Sequence, residues 1–233
     1  MRKIIFTVIF GFNTLIADEL DFWHDGWYRE CYIYKPSCIS DNSSNDFQVP
    51  LVMMFHGLGG VGEDNYAFSN LAEDSCFIVA FPSGAFNTWN VGPEHFLSHD
   101  IDDNSYVETL IDSIVDDYPV DTNRVYGTGH SMGGAFMNHL SCTSTAFTAT
   151  GSSGGWENAI YHPGNAYDNV CDPYINGYAI PSIHSHGIQD ATIPVQWAQI
   201  ATIAAANRNF CKGPLETEFW DLTFDVETDL SEM

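Results

Sequence analysis

The octapeptide Gly127-Thr128-Gly129-His130-Ser131-Met132-Gly133-Gly134 constrains this chain more than any other stretch. It follows the short segment Arg124-Val125-Tyr126 and opens the amphipathic Ala135-Phe136-Met137-Asn138-His139-Leu140. Strand, G-x-S-x-G and helix in that order make a nucleophile elbow, which lifts a serine hydroxyl to the tip of a sharp turn. Glycine is required at 129 and 133, because a Cβ at either would clash where helix and strand pack closely. A serine so placed points to nucleophilic chemistry.

The flanking sequence repeats the same alternation of elements. Trp27–Lys35 reads as a strand closed by Pro36, and Ser37–Asp46 as a loop rich in Ser, Asn and Asp. Pro50–Phe55 and Phe77–Phe81 are continuous apolar runs, the pattern of strands buried on both faces. Helical spacing covers Glu63–Ser75 and Asp102–Tyr118, the latter aligning Tyr106, Leu110, Ile114 and Val115. Short strands are predicted at Arg124–Thr128, Phe147–Gly151 and Ser182–Gly187, and a helix at Pro194–Asn207. Strands alternating with helices predict one α/β domain, its mostly parallel sheet covered by helices on both faces. A length of 233 residues and 45% hydrophobic content suit a single globular core of that kind.

The N-terminus has the pattern of a secretory leader: basic Arg2 and Lys3, an apolar Ile4–Phe10, and a small residue at Ala17. Residues 1–17 are therefore expected to be removed as a signal peptide, leaving the domain at 18–233 and a secreted protein, extracellular or periplasmic. Leu15 is a poor −3 residue, and a buried first strand is the competing reading. The leader holds two basic residues and no acid, so its loss takes the net charge from −24 to about −26. Such a charge repels nucleic acid and anionic membrane surfaces, which are excluded as partners. No apolar run approaches the ~20 residues that span a bilayer. Cys31, Cys38, Cys76, Cys142, Cys171 and Cys211 in an exported chain favour disulfides, with Cys31–Cys38 suggested by proximity. They lack the paired spacing of a zinc site, and no metal is expected.

A serine nucleophile needs oxyanion donors and an acid-oriented base. The loop His56-Gly57-Leu58-Gly59-Gly60 leaves a buried strand, so the backbone N–H groups of Leu58 and Met132 are the candidate oxyanion hole. Asp190, after the strand ending near His186 and before a helix, is the candidate acid, an N-cap or turn aspartate being the alternative.

These segments, together with Phe81-Pro82-Ser83-Gly84, Trp89-Asn90 and Ile101-Asp102-Asp103, occur in order over roughly residues 50–211. In that combination the chain resembles the poly(3-hydroxybutyrate) depolymerase-like esterases, related to type-D feruloyl and acetylxylan esterases. The resemblance implies an α/β-hydrolase fold, no cofactor, and hydrolysis of carboxylic esters through an acyl-enzyme. It carries Ser131 over as nucleophile and Asp190 as the acid that orients the histidine. Trp89, Asn90 and Trp156 are expected near the substrate, although Trp89 suits core packing equally well. Asp102-Asp103 suits a helix cap as readily as the active-site rim. The resemblance implies as substrate a polymeric hydroxyalkanoate, an acetyl or feruloyl ester of plant polysaccharide, or a small soluble ester, and the sequence leaves these open.

One element of the pattern is missing. In this fold the base follows the acid in the chain, yet His24, His56, His95, His99, His130, His139, His162, His184 and His186 all precede Asp190. Three readings follow: a C-terminally truncated esterase lacking the end of its last strand (Phe219–Val226) and the histidine beyond; a short chain that binds without turnover; or His162 acting as base.

Overall fold

In β4 (Val49–Phe55), Leu51, Met53 and Phe55 are fully buried while Val52 and Met54 point to the opposite face of the sheet. That alternation places β4 at the centre of a sheet with a core on each side. The computed structural model describes residues 2–10, 13–39, 47–92, 101–157 and 180–209. Among the described residues the strands are β1 (Arg2–Phe10), β2 (Asn13–His24), β3 (Trp27–Tyr34), β4, β5 (Ile78–Pro82), β6 (Val120–His130), β7 (Ala149–Ser153) and β8 (Ser182–Ser185). They lie in the order β1-β2-β3-β5-β4-β6-β7-β8. The first three strands pair antiparallel, and from β5 to β8 every pairing is parallel.

The larger core packs α2 (Asp103–Asp117) and α3 (Met132–Thr143) on one face. There Tyr106, Leu110, Ile114, Phe136, Met137 and Leu140 meet Leu51, Met53, Phe55 and Ile78, all fully buried. The opposite face is covered by a 3₁₀ segment, Gly62–Phe68, running into α1 (Ser69–Ser75) over Val79 and Phe81. A last helix, α4 (Val195–Arg208), follows β8. The α/β expectation of a mostly parallel sheet is met.

Local departures have physical causes. The expected helix at 63–75 is tightened over its first half, where the Asp64 carboxylate accepts the Val61 N–H at 2.9 Å and fixes a turn. Strand β6 begins four residues earlier than periodicity suggested. A register shift between Val49 and Leu51 absorbs the polar Asp121-Thr122-Asn123 as an irregularity. The suggested Cys31–Cys38 bridge is corrected: Cys38 is bonded to Cys76. Cys31 is fully buried on β3 as a free thiol, while the turn after Pro36 carries Cys38 to the left-handed C-cap of α1, where Cys76 sits. Cys142 is also disulfide-bonded. The expected last strand at 219–226 lies outside the described residues.

Residues 2–10 pair only with β2, forming an outer hairpin at the sheet edge. Among the described residues, no helix is long and apolar enough to cross a membrane.

Candidate active site

Ser131 joins β6 to α3 with φ 54° and ψ −117°, a conformation that side chains other than glycine's rarely adopt. Its neighbours make the turn obligatory. A Cβ on Gly129 would lie 2.4 Å from the Gly133 carbonyl, and one on Gly133 would lie 2.2 Å from the Phe55 carbonyl oxygen. Helix α3 therefore crosses β4 and β6 at backbone contact, and the serine is turned out at its N-terminus. The Ser131 N–H donates to the Ser153 carbonyl at 2.8 Å, anchoring the elbow to β7.

The second wall comes from the end of β4. Phe55 is in register with Gly129, so the His56–Gly60 loop emerges beside the elbow. A Cβ on Gly57 would stand 3.4 Å from the Ser131 Cβ. Among the described residues, neither the Leu58 nor the Met132 N–H donates to a protein acceptor. They are the candidate donors for a tetrahedral oxyanion at Ser131.

His56 holds this loop. Its Nδ1–H donates to the Gly57 carbonyl at 2.7 Å, and its Nε2 accepts the Gly84 N–H at 2.9 Å. Only one neutral tautomer satisfies both bonds. Burial depresses the imidazole pKa, which keeps that neutral form. Trp89 supports it from below: its indole N–H donates to the His56 carbonyl at 3.0 Å, and its ring stacks on Phe136 at 4.9 Å.

The loop that carries Asp190 leaves β8 on the same edge. His130, Ser153 and Ser185 share a register across β6, β7 and β8. Two strand spacings, about 10 Å, thus separate the ends of β6 and β8. One Asp190 oxygen accepts the Thr192 and Ile193 N–H groups at 2.8 and 2.9 Å. The other stands 3.7 Å from His186 Nε2. The two backbone bonds, chiefly, and the nearby His186 and His130 hold the carboxyl below its usual range, so it is ionised at neutral pH.

The structure brings Ser131, Leu58, Met132 and Asp190 to one edge of the sheet but gives the expected substrate contacts a different placement. Trp89 is fully buried and packs in the core. Asn90 braces the segment before α2, its Nδ2 donating to Ile101 O at 3.0 Å and its Oδ1 accepting the Gly92 N–H at 3.1 Å. Trp156 is 4% exposed within the main core, and its carbonyl accepts from Asn138. Burial removes both indoles from the position of a cleft wall.

Asp102 takes the helix-cap role, and Asp103 lies in the core rather than at the rim. Asp102 caps α2, accepting the Ser105 N–H at 3.0 Å. Asp103 is fully buried, paired with Arg29 of β3 and accepting the Asn90 N–H at 2.7 Å. Arg29 also lies over the Tyr106 ring at 3.9 Å. Sequence reading missed this brace; the available signal was a lone arginine inside a predicted strand.

Among the described residues Ser131 Oγ has no hydrogen-bond partner. His130 is exposed over Gly154, His139 is buried in α3, and His186 Nε2 bonds the Ile193 carbonyl at 2.6 Å. His95, His99 and His162 lie outside the described residues.

No family model matches the chain. Over 178 residues it is 27% identical to acetylxylan esterase A of Aspergillus ficuum, covering 73% of this chain and 53% of that one. It is 33% identical over 118 residues to a bifunctional acetylxylan esterase/xylanase of Neocallimastix patriciarum, covering 48% of this chain and 15% of that protein. The chain thus spans about half or less of these relatives' lengths. Among solved structures, a thermostable esterase superposes with TM-score 0.63 at 21% identity, covering 83% of this chain and 52% of that one. The acetyl xylan esterase from Aspergillus awamori gives 0.59 at 20%, covering 78% and 75%. Sheet order, elbow and these superpositions define an α/β-hydrolase fold. Its sequence relatives include acetylxylan and feruloyl esterases.

Proposed function

We propose that this protein is a secreted serine esterase that cleaves carboxylic esters through an acyl-enzyme on Ser131. The observation that carries this reading is the Ser131 conformation at the head of α3, with Gly57 against it. Ser131 Oγ attacks the ester carbonyl, the Leu58 and Met132 N–H groups receive the oxyanion, and ionised Asp190 orients the base. Water then hydrolyses the acyl-serine. The names of the relatives favour acetyl or feruloyl esters of plant polysaccharide; polymeric hydroxyalkanoate is the other substrate class that the sequence resemblance suggests.

The base is assigned to a histidine C-terminal to Asp190, a position that these 233 residues leave unfilled. A longer form of the chain supplies it in this reading. Without it turnover falls by up to ~10⁶-fold, leaving binding and the oxyanion donors. The alternative is a second reading, a protein that binds its ester without cleaving it. Hydrolysis of methyl ferulate, acetylated xylan and hydroxybutyrate oligomers, assayed with the chain as given and with the reading frame extended past Met233, separates the two. Turnover restored by the extension and abolished by Ser131→Ala supports the esterase; binding with no turnover in either form supports the second reading.

Secretion is supported by the leader pattern and by the Cys38–Cys76 disulfide, which suits an oxidising compartment. Cleavage after Ala17 removes β1 and the start of β2, and leaves Asp18–His24 paired with β3. N-terminal sequencing of the exported protein tests that boundary.

A further inference from the structure

Beside the oxyanion loop, two consecutive residues occupy the left-handed region: Phe86 at φ 55°, ψ 26°, and Asn87 at φ 58°. Asparagine enters that region readily, whereas a bulky aromatic residue does so rarely. The Phe86 ring is nonetheless 67% exposed, so burial does not compensate the strain. Backbone strain of this kind concentrates at ligand sites. Asn87 ties the strained turn to the active edge, its carbonyl accepting the Gly59 N–H at 2.7 Å and its Nδ2 donating to the Gly59 carbonyl at 3.4 Å. The Phe86 ring meets Trp27 at 4.8 Å and 71°, and Leu58 lies exposed one residue from Gly59.

We propose that Trp27 and Phe86 form a stacking subsite for the pyranose rings of a neutral polysaccharide, beside the Gly57–Gly60 loop. The proposal rests on the esterase reading for its relation to the reaction, and it names where the carbohydrate carrying the ester is held. Aromatic faces are electron-rich, and a pyranose presents a face of weakly positive C–H groups with a hydroxylated rim. A solvent-exposed aromatic pair suits such a ring, whereas an aliphatic polyester gains most from a closed apolar groove. A net charge of −24 disfavours anionic polymers and is indifferent to neutral ones.

The β2–β3 hairpin carries its own control. Trp23 is paired with Tyr28 and Trp27 with His24, so the two tryptophans project from opposite faces of the ribbon.

The test is affinity electrophoresis of the full chain bearing Ser131→Ala through gels with and without soluble neutral xylan. The background protein is expected to be retarded by xylan, as is Trp23→Ala. Adding Trp27→Ala or Phe86→Asn should weaken the apparent Kd about three- to tenfold. The asparagine tolerates the left-handed backbone, and Phe86 lies on an exposed loop, so this variant keeps the test valid if Trp27→Ala fails to fold. Thermal melts establish that each variant compared is folded. Undiminished retardation of the Phe86 variant, absence of retardation in every protein, or binding of hydroxybutyrate oligomers in place of xylan overturns the proposal. Because turnover is not read, failure of the esterase assignment shows separately, as absent hydrolysis in the frame-extended form.

Discussion

The Nε2 of His56 accepts the Gly84 backbone N–H at 2.9 Å, joining the His56–Gly60 loop to the turn after β5. Protonation would place an N–H against that N–H, so the clamp exists only with neutral imidazole. His139, buried in α3, is likewise held neutral, its pKa lowered by burial to about 4. Unfolded histidine takes a proton near pH 6.5, where the folded protein does not. The stability these residues contribute is therefore complete above about pH 6.5 and lost as pH falls towards their folded values. For His139 the loss reaches about 3 kcal/mol by pH 4. Urea unfolding between pH 7 and 5, above most carboxylate titrations, should show declining stability, and His139→Gln should flatten that decline.

Gly133→Ala should disrupt the elbow, since its Cβ would meet the Phe55 and His56 carbonyl oxygens at 2.2 and 2.7 Å. Both obstacles are backbone and cannot rotate away. A loss of at least about 3 kcal/mol is expected, or failure to fold. A urea midpoint unchanged from wild type would contradict the close crossing of α3 over β4.

Removing one partner of the buried Arg29–Asp103 pair leaves an uncompensated charge in the core. Arg29→Met or Asp103→Leu alone should cost about 3–5 kcal/mol. The double variant should recover part of this, though not all, because the Asn90 N–H then loses its 2.7 Å bond to Asp103. Chemical denaturation of the four proteins as a double-mutant cycle measures the coupling.

The Cys38–Cys76 bridge closes a separation of 38 residues. Replacing both cysteines by serine should cost about 3 kcal/mol, read as a lower denaturation midpoint. Cys31 should stay unreactive to thiol reagents in the native state, since burial raises its pKa and hides the sulfur. Rapid modification of Cys31 in folded protein would contradict its place on β3.

Nucleophile chemistry offers the sharpest functional check. In a form that turns over esters, Ser131→Ala and Asp190→Asn should each remove most activity, the serine substitution by up to ~10⁶-fold in kcat. Steady-state rates on a small acetyl ester measure this, and full activity in either variant sinks the assignment.

What the sequence determined by itself was local. The elbow, the apolar runs of β4 and β5 and the periodicity of α2 are short-range patterns, because glycine sterics and side-chain alternation act over a few residues. The chain order of Ser131 and then Asp190 was also legible in the sequence alone. Tertiary structure decided what depends on contacts between distant segments. Cys38 is bonded to Cys76 rather than to the nearer Cys31 because strand direction and the end of α1 set which thiols meet. Trp89 became a buried support for His56, and Asp103 half of an ion pair with a residue 74 positions away. An indole packs or stacks and a carboxylate caps or pairs with equal chemical competence; only the neighbours that folding brings, and the water it excludes, choose between them.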